Sequence, residues 1–212
     1  MSEISLHPPK SVPAKARGSK PPEQEIIDYI SKFIALSDTE IRAILENINI
    51  RNFKKGAVLL REGQVSSLCY FILKGCVRQY YLKDGEEKTT NFYTEGQPVP
   101  PYEGTFKKKP SKFYLACVED TMLSVGTPAD EAKLFAMFPH FEAVTRVAVE
   151  DELGKSQENM ASFMINSPEE RYQNLLETRP DLLDRVPQYQ LASYLGITPE
   201  SLSRIRKRIM RK

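Results

Sequence analysis

Apolar and polar positions change their rhythm twice along this chain. From Glu23 the stretch EQEIIDYISKFIAL repeats apolar residues at helical spacing, and Ser37 with Glu40 makes a capping box ahead of EIRAILENI, so two short helices are predicted. From about Phe53 the runs become short, β-branched and aromatic: AVLLREGQ, SLCYFILKG, CVRQYYLKDGEE and KTTNFYTEGQ. Gly63, Gly75, Gly85 and Gly96 punctuate them every ten to twelve residues, and Asp84-Gly85 is a strong hairpin signal. KFYLACV and TMLSVGT add two strands, which predicts a compact all-β sandwich or roll.

After Thr127-Pro128 the rhythm returns to helix. ADEAKLFAMF stops at Pro139, and FEAVTRVAVEDELGKSQENMASFMI predicts a long helix of about seven turns. Its apolar residues Phe141, Val144, Ala148, Leu153, Met160, Phe163 and Met164 form a ragged stripe. By periodicity alone this helix could lie on the β-domain, pair with a copy of itself, or do both. Ser167-Pro168-Glu169-Glu170 is a further capping box with Pro at the first helical position, opening ERYQNLLET.

The chain closes on QYQLASYLGITPESLSRIRKRIMRK. A helix is predicted from about Gln188 to Leu195, and Gly196 suits the left-handed turn after it. Thr198 is a natural N-cap, Pro199 fits the first helical position, and Glu200 favours the positive end of the next helix. At 100° per residue, Leu202, Ile205 and Ile209 share one side and would pack on Leu191, Ala192, Leu195 and Ile197. Glu200, Arg204, Lys207 and Arg211 lie opposite. A helix, a short Gly turn and a second helix make a helix-turn-helix pattern. A plain helical hairpin explains the apolar spacing equally well, but not the basic free face.

Charge sharpens this picture. Residues 1–22 are rich in Pro, Lys and Ser and carry net +3, and residues 188–212 carry net +5. The whole chain is only +2, which leaves −6 on residues 23–187. A basic end on an acidic body is what a protein that meets a polyanion would carry. No apolar run reaches the roughly 18 residues needed to span a membrane, and the first residues lack the apolar centre of a signal peptide. With Cys69, Cys76 and Cys117 read as core thiols in strands, a cytoplasmic location is expected. His7 and His140 cannot make a metal site between them, and no metal is expected. There is no P-loop, GxSxG or HExxH, so an enzyme is not expected.

LASYLGITPESLSRI at 191–205 and AVLLREGQVSSLCYFILKGCVRQYYLKDG at 57–85 resemble the catabolite-activator and fumarate–nitrate-regulator (Crp/Fnr) family of transcription factors. The resemblance covers about residues 25–212. It implies an α+β fold: an N-terminal double-stranded β-helix, the jelly-roll-like β-roll of cyclic-nucleotide-binding domains, with flanking helices, a long dimerisation helix and a C-terminal helix-turn-helix. The domains would be 1–22, a flexible basic tail; 23–128, the β-roll; 129–165, connecting and dimerisation helices; and 166–212, the DNA-binding domain.

The implied partners are double-stranded promoter DNA and a second copy of the chain through residues 141–165, with RNA polymerase a further candidate and no membrane. At the DNA, Pro199, Glu200 and Arg204 fall at positions that meet base edges in this family. Ser201, Ser203 and Lys207 suit phosphates or base edges, Arg208 and Arg211 suit phosphates, and Thr198 caps the helix that carries them. Pro199 departs from the family's Arg. With Lys212 last, no β-wing contact is expected.

The family's cyclic-nucleotide cassette, a Gly-Glu pair followed by Arg-Ser or Arg-Thr, is not matched by EGQPVPPYEGTFKKKPSKFYLACVED. Ser111 stands at the Arg position with Lys112 after it, and Pro101 at the Glu position with Glu103 two residues on. Three readings stay open. The pocket has lost its ligand; it takes a different small molecule, with Tyr102, Glu103, Ser111 and Lys112 as candidates; or it takes a cyclic nucleotide through Lys112. Lys lacks the bidentate fork of Arg, so cyclic AMP is disfavoured. A ligand-sensing module that does not bind DNA is the remaining alternative.

Overall fold

The computed structural model describes residues 20–99 and 108–209. Helices α1 (Gln24–Ile30) and α2 (Asp38–Asn47) come first. The predicted first helix is shorter than its sequence pattern, because its end tightens into turns in which Lys32 N–H bonds Tyr29 O and Phe33 N–H bonds Ile30 O. The capping box before α2 is formed: Ser37 Oγ accepts from Glu40 N–H while the Glu40 carboxylate takes Ser37 N–H at 2.7 Å.

Eight strands follow among the described residues: β1 (Ile50–Phe53), β2 (Val58–Leu60), β3 (Cys69–Lys74), β4 (Val77–Lys83), β5 (Glu86–Tyr93), β6 (Pro98–Val99), β7 (Tyr114–Cys117) and β8 (Thr121–Gly126). They pair antiparallel into two four-stranded sheets, β1-β8-β3-β6 and β2-β7-β4-β5. Asp84 and Gly85 close the β4–β5 hairpin with φ of 55° and 79°, as the sequence predicts. Strand β8 alternates strictly, with Thr121, Leu123 and Val125 inward. Leu60, Ile72, Val77, Tyr93, Leu115, Cys117, Leu123 and Val125 fill the space between the sheets.

Helix α3 (Pro128–Met137) starts on a Thr127–Asp130 capping box, and α4 (His140–Ile165) runs without interruption for 26 residues. Leu134 and Phe135 of α3 and Phe141 of α4 close a second small core with Ile27 of α1 and Ile44 of α2. Phe141 is therefore buried inside its own chain and is not free for a partner, a correction to the expected dimer stripe.

The last helices are α5 (Pro168–Thr178), α6 (Asp181–Arg185), α7 (Gln188–Tyr194) and α8 (Pro199–Ile209). Tyr172, Leu175, Leu182, Val186, Leu191, Ala192, Leu195, Leu202 and Ile205 form their core. That core also takes in Cys76, Phe92 and Val118 of the β-roll, and Phe92 meets Tyr194 edge-on at 5.3 Å between ring centres. Cys76 therefore sits between β3 and β4 under the last helices, not within a strand of the roll as expected.

Candidate nucleic-acid interface and effector segment

Helix α8 stands at the surface because its apolar side is claimed by α7. Leu202 and Ile205 are buried, and Ile197 and Ile209 pack beside them. Gly196 turns the chain between the two helices at φ 68°. Thr198 caps α8, its Oγ1 accepting Ser201 N–H at 3.2 Å. The result follows the helical wheel: Pro199, Glu200, Ser203, Arg204, Lys207 and Arg208 are exposed, and Ser201 is half-buried. Arg211 lies outside the described residues.

Two electrostatic details shape this face. Backbone N–H and Thr198 hydroxyl hydrogen bonds, with Arg204 nearby, hold the Glu200 carboxyl below its usual value. It stays ionised near neutral pH and able to accept hydrogen bonds. Arg208 is not free, because its guanidinium pairs with Glu169 at the start of α5. The phosphate role foreseen for Arg208 would require that pair to open, whereas among the described residues neither Arg204 nor Lys207 is held in a salt bridge.

Arg171 of α5 ties the helix-turn-helix to the long helix α4. Its Nε donates to Leu195 O at 3.1 Å, and Nη1 donates to Phe163 O and Asn166 O, both at 3.0 Å. The guanidinium lies over the Phe163 ring at 4.5 Å. Carbonyls at the ends of α4 and α7, left over by their own helices, are thus held by one cation. Phe163, expected in the dimer stripe, touches the Gly196 turn instead, while half of its ring remains exposed.

Along α4, Val149, Leu153 and Met160 are exposed, as are Met164 and Ile165. Val149, Leu153, Met160 and Phe163 fall on the two apolar positions of a heptad. Val144 packs into the core with Phe141, and Ala148 is half-buried. Val149 lies off the stripe that begins at Phe141 but four residues before Leu153, in line with the heptad that Leu153, Met160 and Phe163 define.

In the effector segment, Tyr102 and Glu103 lie outside the described residues. Ser111 is buried, and its hydroxyl is committed to its own backbone, donating to Phe113 O at 2.8 Å and accepting Phe113 N–H at 3.2 Å. Ser111 N–H and C=O are also used, by Gln64 O and Gly63 N–H, both at 2.9 Å. Lys112 points outward and is exposed. Among the described residues, no group of three or more His, Cys, Asp or Glu is placed to hold a metal, and no helix is long and apolar enough to cross a membrane.

A two-sheet β-roll, a long exposed helix and a helix-turn-helix, in this order, make a fold that this chain shares with solved structures. Residues 50–130 match the family model described as Cyclic nucleotide-binding domain. The chain is similar to FixK2 from Bradyrhizobium japonicum, at 19% identity and TM-score 0.65 over 77% of this chain and 85% of that one. It is similar to the c-di-GMP responsive global regulator CLP of Xanthomonas campestris, at 16% identity and TM-score 0.62 over 82% and 92%. For the Thermus thermophilus catabolite activator protein the figures are 20%, 0.51, 84% and 86%. No curated protein sequence matches the chain.

Proposed function

We propose that this protein is a sequence-specific, DNA-binding transcription regulator that acts as a homodimer on two-fold sites. One observation carries the reading: the exposed side of α8 sets one ionised carboxylate, Glu200, among Arg204 and Lys207 on a rigid, capped helix. Glu200 accepts from a cytosine amino group and Arg204 bonds guanine O6 and N7, each good pair giving about 1–3 kcal/mol of discrimination. Thr198, Ser201, Ser203 and Lys207 meet phosphates or base edges, Arg208 and Arg211 meet phosphates, and Pro199 offers apolar contact. Two copies join through the exposed α4 residues Val149, Leu153, Met160 and Met164, which sets two α8 helices about one helical turn of DNA apart. RNA polymerase is the partner such a regulator would address, and no enzymatic step is proposed.

The effector pocket does not take cyclic AMP in the family's usual way. The internally satisfied Ser111 hydroxyl and the outward Lys112 support a lost or different ligand. The test is fluorescence anisotropy with labelled DNA from the region upstream of the gene, with and without cyclic AMP, at two salt concentrations. Tight, salt-sensitive binding indifferent to the nucleotide is expected. Arg204→Ala should lower discrimination at one base position by about 1–3 kcal/mol, and Lys207→Ala should weaken all sequences alike and reduce the salt slope by about 1. Absence of salt-sensitive DNA binding would leave the ligand-sensing module as the better reading.

A further inference from the structure

The reading unit is docked on the β-roll along most of strand β5. At one end, Ser193 of α7 accepts Thr89 N–H and donates to Glu87 O, both at 2.9 Å, so that it satisfies backbone groups on the free edge of the sheet. At the other end, Arg185 of α6 grips two carboxylates. Its Nη1 and Nη2 bond the two oxygens of Glu95, each at 2.9 Å, and Nε bonds Glu119 Oε1 at 2.9 Å. Glu95 Oε1 also accepts Gly75 N–H at 2.7 Å. Between these ends, Arg179 Nη2 donates to Thr94 Oγ1 at 3.0 Å.

None of these residues belongs to the exposed face of α8, so the dock does not cover the reading surface. It decides where that surface stands relative to the β-roll. Glu95 also lies three residues before β6, which leads into the segment where an effector cassette would sit. A fork held by two carboxylates transmits orientation better than a point charge, because it fixes a plane as well as a distance.

We propose that Arg185 is a positioning residue whose clamp on Glu95 and Glu119 holds the helix-turn-helix against the β-roll and thereby sets the orientation of α8. This rests on the proposed DNA-binding function for its consequence, though not for the clamp itself.

Cys76 reports the docked state. Its side chain is wholly buried under the helices, and burial pushes its thiol up to about 12, so it alkylates slowly while docked. Cys117, buried in the β-roll interior, reports unfolding of the roll. The experiment treats the full chain, Arg185→Met and Glu95→Gln with N-ethylmaleimide and follows each cysteine by peptide mass spectrometry. In both variants Cys76 should react roughly tenfold faster or more, with Cys117 unchanged. The same proteins are then titrated with palindromes selected from random DNA by the wild type, with the half-site spacing kept or lengthened by a base pair or two. The variants should hold a single half-site within about twofold of wild type yet discriminate less between spacings. Unchanged Cys76 rates would overturn the clamp; Cys76 and Cys117 rising together would reduce Arg185 to a general structural role. Unaltered spacing discrimination would refute its part in DNA reading. Failure of the wild type to select any DNA would remove the proposed function and that part with it, while the alkylation rates would still decide the clamp.

Discussion

At the scale of single residues, two glycines with the same sign of φ have different consequences. Gly75, at φ 104°, leaves no room for a side chain: a Cβ would lie 2.6 Å from Thr121 Oγ1, 2.7 Å from Thr121 Cα and 2.9 Å from Asp120 O. Two of those atoms are backbone at the start of β8 and cannot yield. Gly75→Ala combines left-handed strain with a clash in a packed sheet and should cost about 2–4 kcal/mol. At Gly196, φ is 68° and the nearest atom to an added Cβ is the tip of the Phe163 ring at 2.8 Å. That ring is half exposed and can swing aside, so Gly196→Ala should cost about 1–2 kcal/mol, chiefly as backbone strain. Urea unfolding of the two variants checks the order; a larger loss at Gly196 would show that the Phe163 contact is rigid.

At the scale of elements, α4 separates into two parts. Its first turn is anchored by Phe141 and Val144 in the core with α1, α2 and α3. Beyond that, Val149, Leu153, Met160 and Met164 face solvent at 58%, 58%, 67% and 74% exposure, too much apolar surface on one helix to be incidental. If two copies join through this face as proposed, Leu153→Glu should yield a monomer in light scattering where the wild type is a dimer, and leave the melting temperature of the β-roll unchanged, because Leu153 supports no core of its own chain. A variant that stays dimeric would place the two-fold contact elsewhere. At the far end of the helix, the Ser167–Glu170 box starts α5, whose Tyr172 and Leu175 are buried in the last core. Ser167→Ala should lower stability by about 1 kcal/mol, measurable as a reduced urea midpoint.

At the scale of the whole molecule, the helix-turn-helix and the β-roll are one body joined by a core and a clamp, and that joint has a pH signature. Burial pushes the Glu95 carboxyl up, but hydrogen bonds from Arg185 and Gly75 N–H outweigh it and leave it below its ordinary value of 4.5. A carboxyl lowered in the folded state stabilises fully above pH 4.5 and loses that contribution as pH falls through its native value. Glu119 and Asp181 share the site with Arg185, while Arg179 stands beside Asp181. Glu95→Gln should therefore be less stable than wild type at neutral pH, with the gap closing as the medium is acidified below pH 4.5. Urea midpoints across this range check it; a gap that persists in acid would mean that bulk rather than charge is what Glu95 contributes.

Local rules determined much of this protein. Capping boxes at Ser37 and Ser167, the Asp84-Gly85 hairpin, the Gly196 turn and the two sides of α8 are all set by residues within a few positions of one another, so the sequence sufficed to find them. The docking of the last helices was decided only in three dimensions. Its local trace is three apolar doublets, Cys76-Val77, Phe92-Tyr93 and Cys117-Val118. In each, one residue (Val77, Tyr93, Cys117) enters the β-roll core and its neighbour (Cys76, Phe92, Val118) enters the core beneath the helices. A strand with one wet face alternates, whereas adjacent apolar residues mean that both faces are covered. What covers the second face, and that Arg185 meets Glu95 and Glu119 across 90 and 66 positions of chain, follows from strand order and the return of the chain, which no local pattern encodes.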